Sequence, residues 1–214
     1  MNLRKIAAAA ARAVTDFVYP SRAVCLGCGS AAGQAEPWLC ADCAAALKGD
    51  RPKETDGRIV CHKYHGPAGA LVRNLKYHGV TALAEPMGRQ MARRVLNAGW
   101  TIDAVTCVPM HPKRRRTRGY NQSELLARVI AAELGAPYQD LLTRTRNTPQ
   151  QARLNAEQRR TNLKDAFAAS GCVGKRILLV DDVFTTGETS RTCAEEMTRD
   201  GAAEVRFVMY ATDN

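Results

Sequence analysis

From residue 51 onward, short apolar runs alternate with stretches whose apolar positions recur every three or four residues. The run Ile177-Leu178-Leu179-Val180 is the strongest, and Arg176 to Val180 reads as a buried parallel strand. Ala104 to Val108, stopped by Pro109, reads as another, and Val205 to Ala211 as a third. Arg58 to Tyr64 suits an edge strand, and Leu141 to Thr145 a further one. Leu71, Val72 and Leu75 mark a short helix that ends before Gly79, and a second helix runs from about Leu83 to Asn97. Asn121 caps the next, with Glu124 placed to complete a capping box. Its inward face is Leu125, Leu126, Val129, Ile130 and Leu134, and Gly135 ends it. A last helix covers about Gly187 to Arg199. This alternation predicts an α/β fold: a mainly parallel sheet with helices on both faces.

The chain divides into an N-terminal helix over 1–20, a Cys-bearing segment over 21–50 and the strand–helix region over 51–214. The N-terminus faintly resembles a signal peptide, but Arg12 and Asp16 cut its apolar core short. No apolar run approaches the roughly 18 residues of a membrane span, so no membrane insertion is expected. Hydrophobic content of 45% in 214 residues suits one moderate domain plus a small appendage. The net charge of +10 is unusual and favours polyanionic partners such as phosphates, pyrophosphate or nucleic acid.

Of eight cysteines, four form two C-x-x-C pairs, Cys25/Cys28 and Cys40/Cys43. Two such pairs wrap a tetrahedral ion, and four thiolates close its shell, so the expected site is structural zinc. The other four, Cys61, Cys107, Cys172 and Cys193, are scattered within predicted elements. That pattern suits a reducing, cytoplasmic setting. Cys61, His62 and His65 are alternative ligands, though strand residues is the simpler reading.

The strand at 177–180 runs into Asp181-Asp182-Val183-Phe184-Thr185-Thr186-Gly187-Glu188-Thr189. The Thr/Gly turn opens a helix, whose free N–H groups and dipole attract an anion. Hydroxyls of Thr185, Thr186 and Thr189 add donors, and Gly187 permits close backbone approach. Asp181 and Asp182 stand at the carboxyl end of the strand, where open α/β sheets bind ligands. A phosphate cup beside two carboxylates suits a sugar phosphate. Further cations follow the strand at 104–108: Lys113, Arg114, Arg115, Arg116 and Arg118 are five in six residues. They suit a pyrophosphate clamp, a solvated surface or a nonspecific nucleic-acid patch. Residues 144–162, cationic and amide-rich, suit either a mobile flap or a plain surface segment.

The thirteen residues from Ile177 to Thr189 resemble the phosphoribosyl pyrophosphate (PRPP) signature of type I phosphoribosyltransferases. With the cysteine knuckles, Leu75-Lys76-Tyr77-His78-Gly79, Arg118-Gly119-Tyr120-Asn121-Gln122-Ser123-Glu124 and Thr143 to Gln151, the chain resembles the ComF family, linked to competence and DNA uptake. Many members carry a second Cys-x-x-Cys set before the Leu-Lys-Tyr segment. Only Cys61 stands there, which implies a reduced, one-ion zinc module. The resemblance implies ribose hydroxyls on Asp181 and Asp182, the catalytic positions. It implies the 5′-phosphate on Thr185, Thr186, Gly187, Glu188 and Thr189, pyrophosphate near Lys113, Arg114, Arg115 and Arg118, and Mg²⁺ arriving with PRPP. Two functions stay open: PRPP-dependent transfer with pyrophosphate release, or a catalytically silent PRPP sensor that binds single-stranded DNA and competence proteins.

Overall fold

The computed structural model describes residues 24–30, 38–49, 53–55, 57–145 and 166–213. The helix expected over 1–20 lies outside the described residues, as does most of the expected flap, 146–162. The chain order is α1 (Ala41–Gly49), β1 (Lys53–Thr55), β2 (Arg58–Lys63), α2 (Gly66–Tyr77), a 3-10 turn (Thr81–Leu83), α3 (Ala84–Asn97), β3 (Ala104–Cys107), α4 (Pro112–Arg118), α5 (Gln122–Leu134), β4 (Leu142–Arg144), β5 (Phe167–Ala169), β6 (Arg176–Phe184), α6 (Glu188–Arg199) and β7 (Glu204–Thr212).

The main sheet has the order β1-β2-β7-β6-β3. β2, β7, β6 and β3 run parallel, and only β1 is antiparallel. Parallel strands buried on both faces need apolar side chains on both, which is why the run at 177–180 lacks polar alternation. Leu178 and Val180 point to one face, with Val105, Ile59 and Val208, against α2, α3 and α5. Leu75, Met87, Met91, Leu126 and Ile130 fill that layer. Ile177 and Leu179 point to the other face, against Cys193 and Met197 of α6 and against Phe167 and Leu142. Each fully buried large side chain contributes roughly 1.5–3 kcal/mol, so packing against helices on both faces adds substantially to what the ladders with β7 and β3 supply. The helices on both faces match the expected α/β architecture.

Three expectations need correction. The strand at Arg58 is not at the edge, because the short β1 pairs with its outer side. The strand at Leu141 does not join the main sheet; β4 pairs antiparallel with β5 in a separate two-stranded sheet. β6 does not stop at Val180. It continues through both acids, with Asp181 opposite Met209 and Phe184 opposite Thr212. Parallel pairing uses only backbone groups, so polar side chains do not break it while they have partners elsewhere.

Local chemistry fixes the helix ends near the site. Asn121 Oδ1 accepts from the Ser123 N–H at 3.2 Å and caps α5. Glu124 does not complete a capping box; it turns to Arg128 and Arg115. The basic segment after β3 is not a loop but the short helix α4, capped by His111 Nδ1, which accepts from the Lys113 N–H. The scattered cysteines lie in the interior. Burial pushes the Cys61 and Cys107 thiols up to about 12 and Cys172 to about 11, and holds Cys193 well above its ordinary value. Among the described residues, no helix is long and apolar enough to cross a membrane.

α3 and α5 approach closely at Gly88, where an added Cβ would lie 2.7 Å from the Val129 Cβ. Helix propensity alone favours alanine by about 1 kcal/mol, whereas overpacking costs about 1–3 kcal/mol. Gly88→Ala is therefore expected to lower stability by about 1 kcal/mol in a urea titration. A raised midpoint would contradict this close approach.

Candidate active site

The two acids stand near the end of β6 and receive direct contacts from two other segments. Asp182 is 3% exposed. Lys76, on the last turn of α2, places Nζ 2.8 Å from its Oδ2. The contact is an ion pair and not an aligned hydrogen bond. Asp181 Oδ1 accepts from Ser123 Oγ at 2.8 Å and from the Asp182 backbone N–H at 2.9 Å. Burial, reinforced by the Asp182 charge, pushes the Asp181 carboxyl up to about 7. Burial would raise Asp182 as well, but the Lys76 ammonium overrides it and holds that carboxyl below its ordinary range. Burial likewise opposes the charge on Lys76, and the two carboxylates restore it, so its pKa rises. One acid is thus held ionised and its neighbour tends to keep its proton.

Beyond the acids the chain turns into α6. Gly187 takes φ +77, and a Cβ there would lie 2.7 Å from the Phe184 ring, so the turn is closed to other residues. Its carbonyl accepts from the Arg191 N–H at 2.8 Å. Thr185 and Thr186 are exposed, while Glu188 and Thr189 are half-buried. Glu188 pairs with Arg191 at 2.6 Å. That pairing offsets a carboxylate at a helix start otherwise suited to an anion.

The four predicted cations take different places. Arg118 donates to Gln122 Oε1 at 2.5 Å, lies 5.4 Å from the Tyr77 ring and helps hold Asp182 ionised. Arg115 pairs with Glu124 at 3.0 Å. Lys113 is exposed and Arg114 half-buried. His111, Lys113, Arg114 and Arg144 are mutually close: slight burial and those three cations keep the His111 imidazole below its ordinary pKa. Arg115, Arg116, Arg144 and Asn121 line a cavity of about 620 Å³ beside β3 and β4. A larger groove, about 880 Å³, runs along the outside of α6, floored by Phe184 and Phe207. Neither is lined by the acids, so size alone does not locate the site.

Sequence reasoning gave no role to Lys76 or Ser123 and placed Arg144 only in the expected flap or surface segment. All three fall within segments quoted for the family resemblance, but only tertiary packing brings Lys76 and Ser123 to the acids. Arg144 lies over the Phe167 ring at 5.2 Å, and burial and Arg114 lower its basicity.

In the N-terminal segment, the sulfurs of Cys25, Cys28, Cys40 and Cys43 lie within 4.8 Å of one another. Tetrahedral zinc at thiolate distances sets sulfurs about 3.8 Å apart. Cys28 and Cys40 stand at 3.7 Å. The backbone N–H groups of Gly27 and Cys40 donate to Cys25 Sγ at 3.3 and 3.2 Å. Hydrogen bonds led by the Ser30 hydroxyl lower the Cys28 thiol to about 6. The donor set, spacing and thiolate support all fit a metal such as zinc. Cys61 and His62 are buried strand residues, as the simpler reading had it.

The family model described as the phosphoribosyl transferase domain matches residues 81–214, and the chain belongs to that family. Within it, the competence-associated ComF resemblance holds. The chain is 34% identical over 208 residues to the DNA utilization protein YhgH of Salmonella typhi, covering 94% of this chain and 87% of that one. It is 29% identical to Competence protein F of Haemophilus influenzae, covering 71% and 70%. Among solved structures, a glutamine PRPP amidotransferase from B. subtilis superposes with a TM-score of 0.46 at 20% identity. That match covers 64% of this chain and 30% of that larger one.

The raised Asp181 carboxyl has a measurable consequence. The unfolded carboxyl ionises at about 4 and the folded one at about 7. Across that window the folded chain holds the extra proton, so stability falls as pH rises. The charged groups around it are Asp182, Lys76 and Arg144. Asparagine keeps the oxygen that serves Ser123 and Asp182 and removes the charge. Asp181→Asn is expected to raise the melting temperature by on the order of 3 °C at about pH 8. No gain is expected at about pH 4. A lower melting temperature at the higher pH would contradict the burial argument.

Proposed function

We propose that the chain binds PRPP, as its magnesium complex, at the carboxyl end of β6 and transfers the phosphoribosyl group with release of pyrophosphate. The single observation that carries this reading is the adjacent pair of half-buried Asp181 and buried Asp182, supported by Lys76 and Ser123, one turn before a helix start closed by Gly187. In this reading the 5′-phosphate meets Thr185, Thr186, Gly187, Glu188 and Thr189, and the ribose hydroxyls donate to the two acids. Lys113, Arg114, Arg115 and Arg118 take the pyrophosphate. The bond from C1 to the pyrophosphate oxygen breaks with its electrons leaving on oxygen, and a nucleophile forms a new bond to C1. Cations near the departing oxygen stabilise charge as it builds. The knuckle over 21–50 holds zinc structurally. The names of the curated relatives support a place in DNA uptake or utilization.

A second reading, a silent PRPP sensor that binds single-stranded DNA, is favoured by the net charge of +10 and by the exposed Lys113, Arg115 and Arg116 on α4. Phosphate contacts would make its DNA affinity fall steeply with salt.

Calorimetric titration with PRPP and Mg²⁺, followed for pyrophosphate, separates the readings. Binding with release supports transfer, and binding without release supports the sensor. One charge-assisted and one neutral hydrogen bond are worth about 2.5 kcal/mol together, so Asp181→Asn with Asp182→Asn is expected to weaken binding by about 70-fold. Unchanged affinity in that variant would remove the acids from the site.

A further inference from the structure

The four-cysteine knuckle and the acid pair are joined by one helix. Leu26, between Cys25 and Cys28, offers its carbonyl to Asn74 Nδ2 at 3.1 Å. The same Nδ2 also donates to Ala70 O at 3.0 Å. The Asn74 carbonyl accepts from the N–H groups of His78 and Val80, which close the end of α2. Asn74 therefore ties the knuckle to the last turn of α2 from both its side chain and its backbone. Two residues on, Lys76 meets Asp182. Leu26, Trp38, Leu39 and Leu47 pack with the same core layer as α2, so the knuckle is seated on the domain.

We propose that the metal-loaded knuckle acts as a positioning element for the ribose-recognising acids, with Asn74 as the residue that carries the constraint. α2 itself does not need the knuckle, because Leu71, Val72 and Leu75 anchor it in the core. Its last turn is different. Tyr77 is 63% exposed, so beyond Leu75 the turn is held by hydrogen bonds: Asn74 to the knuckle, and Tyr120 Oη donating to Leu75 O at 2.5 Å. The Cys25–Cys28 turn owes its shape to the ion, because small thiolate sites order only when metal closes them. Without metal, the Leu26 carbonyl no longer has a fixed place, Asn74 loses its partner, and the turn bearing Lys76 loosens. The Lys76–Asp182 contact then has no fixed geometry, and ligand affinity falls.

The ligand arm of this inference rests on the sugar-phosphate reading; the mobility arm does not. The test uses the full chain and two readouts. Amide exchange of His78 and Val80 is followed before and after zinc is stripped, and affinity is measured with ribose 5-phosphate, which needs no Mg²⁺ and so tolerates a chelator. Zinc removal is expected to speed both amides by about tenfold and weaken ribose 5-phosphate by about fivefold, the worth of one hydrogen bond. Asn74→Ala, which leaves all four cysteines in place, is expected to keep its zinc and to show both effects. Stripping zinc from that variant should then add little, because one interaction cannot be lost twice. Lys76→Met should weaken binding, and Lys76→Arg should restore most of it. Unchanged exchange of His78 and Val80 on zinc removal overturns the coupling, as do effects of Asn74→Ala and zinc loss that simply add. If ribose 5-phosphate fails to bind the loaded protein at all, the ligand reading fails, and the exchange experiment still decides the coupling.

Discussion

The structure turns on two adjacent carboxyl groups buried at the end of its central strand. Taking such groups out of water costs several kcal/mol unless other charges and donors replace the solvent. The replacements here come from distant parts of the chain: Lys76 from the end of α2 and Ser123 from the first turn of α5. This sets where both helices must end or begin. α2 has to deliver an ammonium to Asp182, and α5 has to start beside β6, where its Asn121 cap also donates to Val108 O at the end of β3. The apolar layers decide that the helices pack on the sheet; the acids decide at what height.

Charge is distributed unevenly around that point. Lys76 makes the direct contact with the acids, Arg118 and Arg144 act on them from further off, and Lys113 and Arg114 stand with Arg144 beside His111. The helix start at Gly187 adds an uncharged way of holding negative charge, through backbone N–H groups.

The apolar pattern made the main strands and the long helices legible, because burial on both faces of β6 leaves no polar position in the run 177–180. It misjudged what lies beyond such runs. Asp181 and Asp182 look like a strand end by hydropathy, yet the ladder continues to Phe184, since backbone pairing ignores side-chain polarity. The Lys113–Arg118 segment looked like a loop because its charges hide helical hydrogen bonding capped at both ends, by His111 and Gly119. The acids and the Gly187 turn could be named in advance because their chemistry is local. Lys76 and Ser123 could not be given roles, because their partners lie more than fifty residues away in the chain.

Cys28 and the scattered cysteines sit in chemically distinct settings. Cys28, at the knuckle, is exposed and acidified by its neighbours, whereas Cys61, Cys107, Cys172 and Cys193 are sealed in the interior and held protonated by burial. Thiolate is the form that alkylating agents and oxidants attack. Such reagents will therefore reach the knuckle first, and the interior sulfurs only when the core opens, so this chain carries a built-in clock for its own global unfolding.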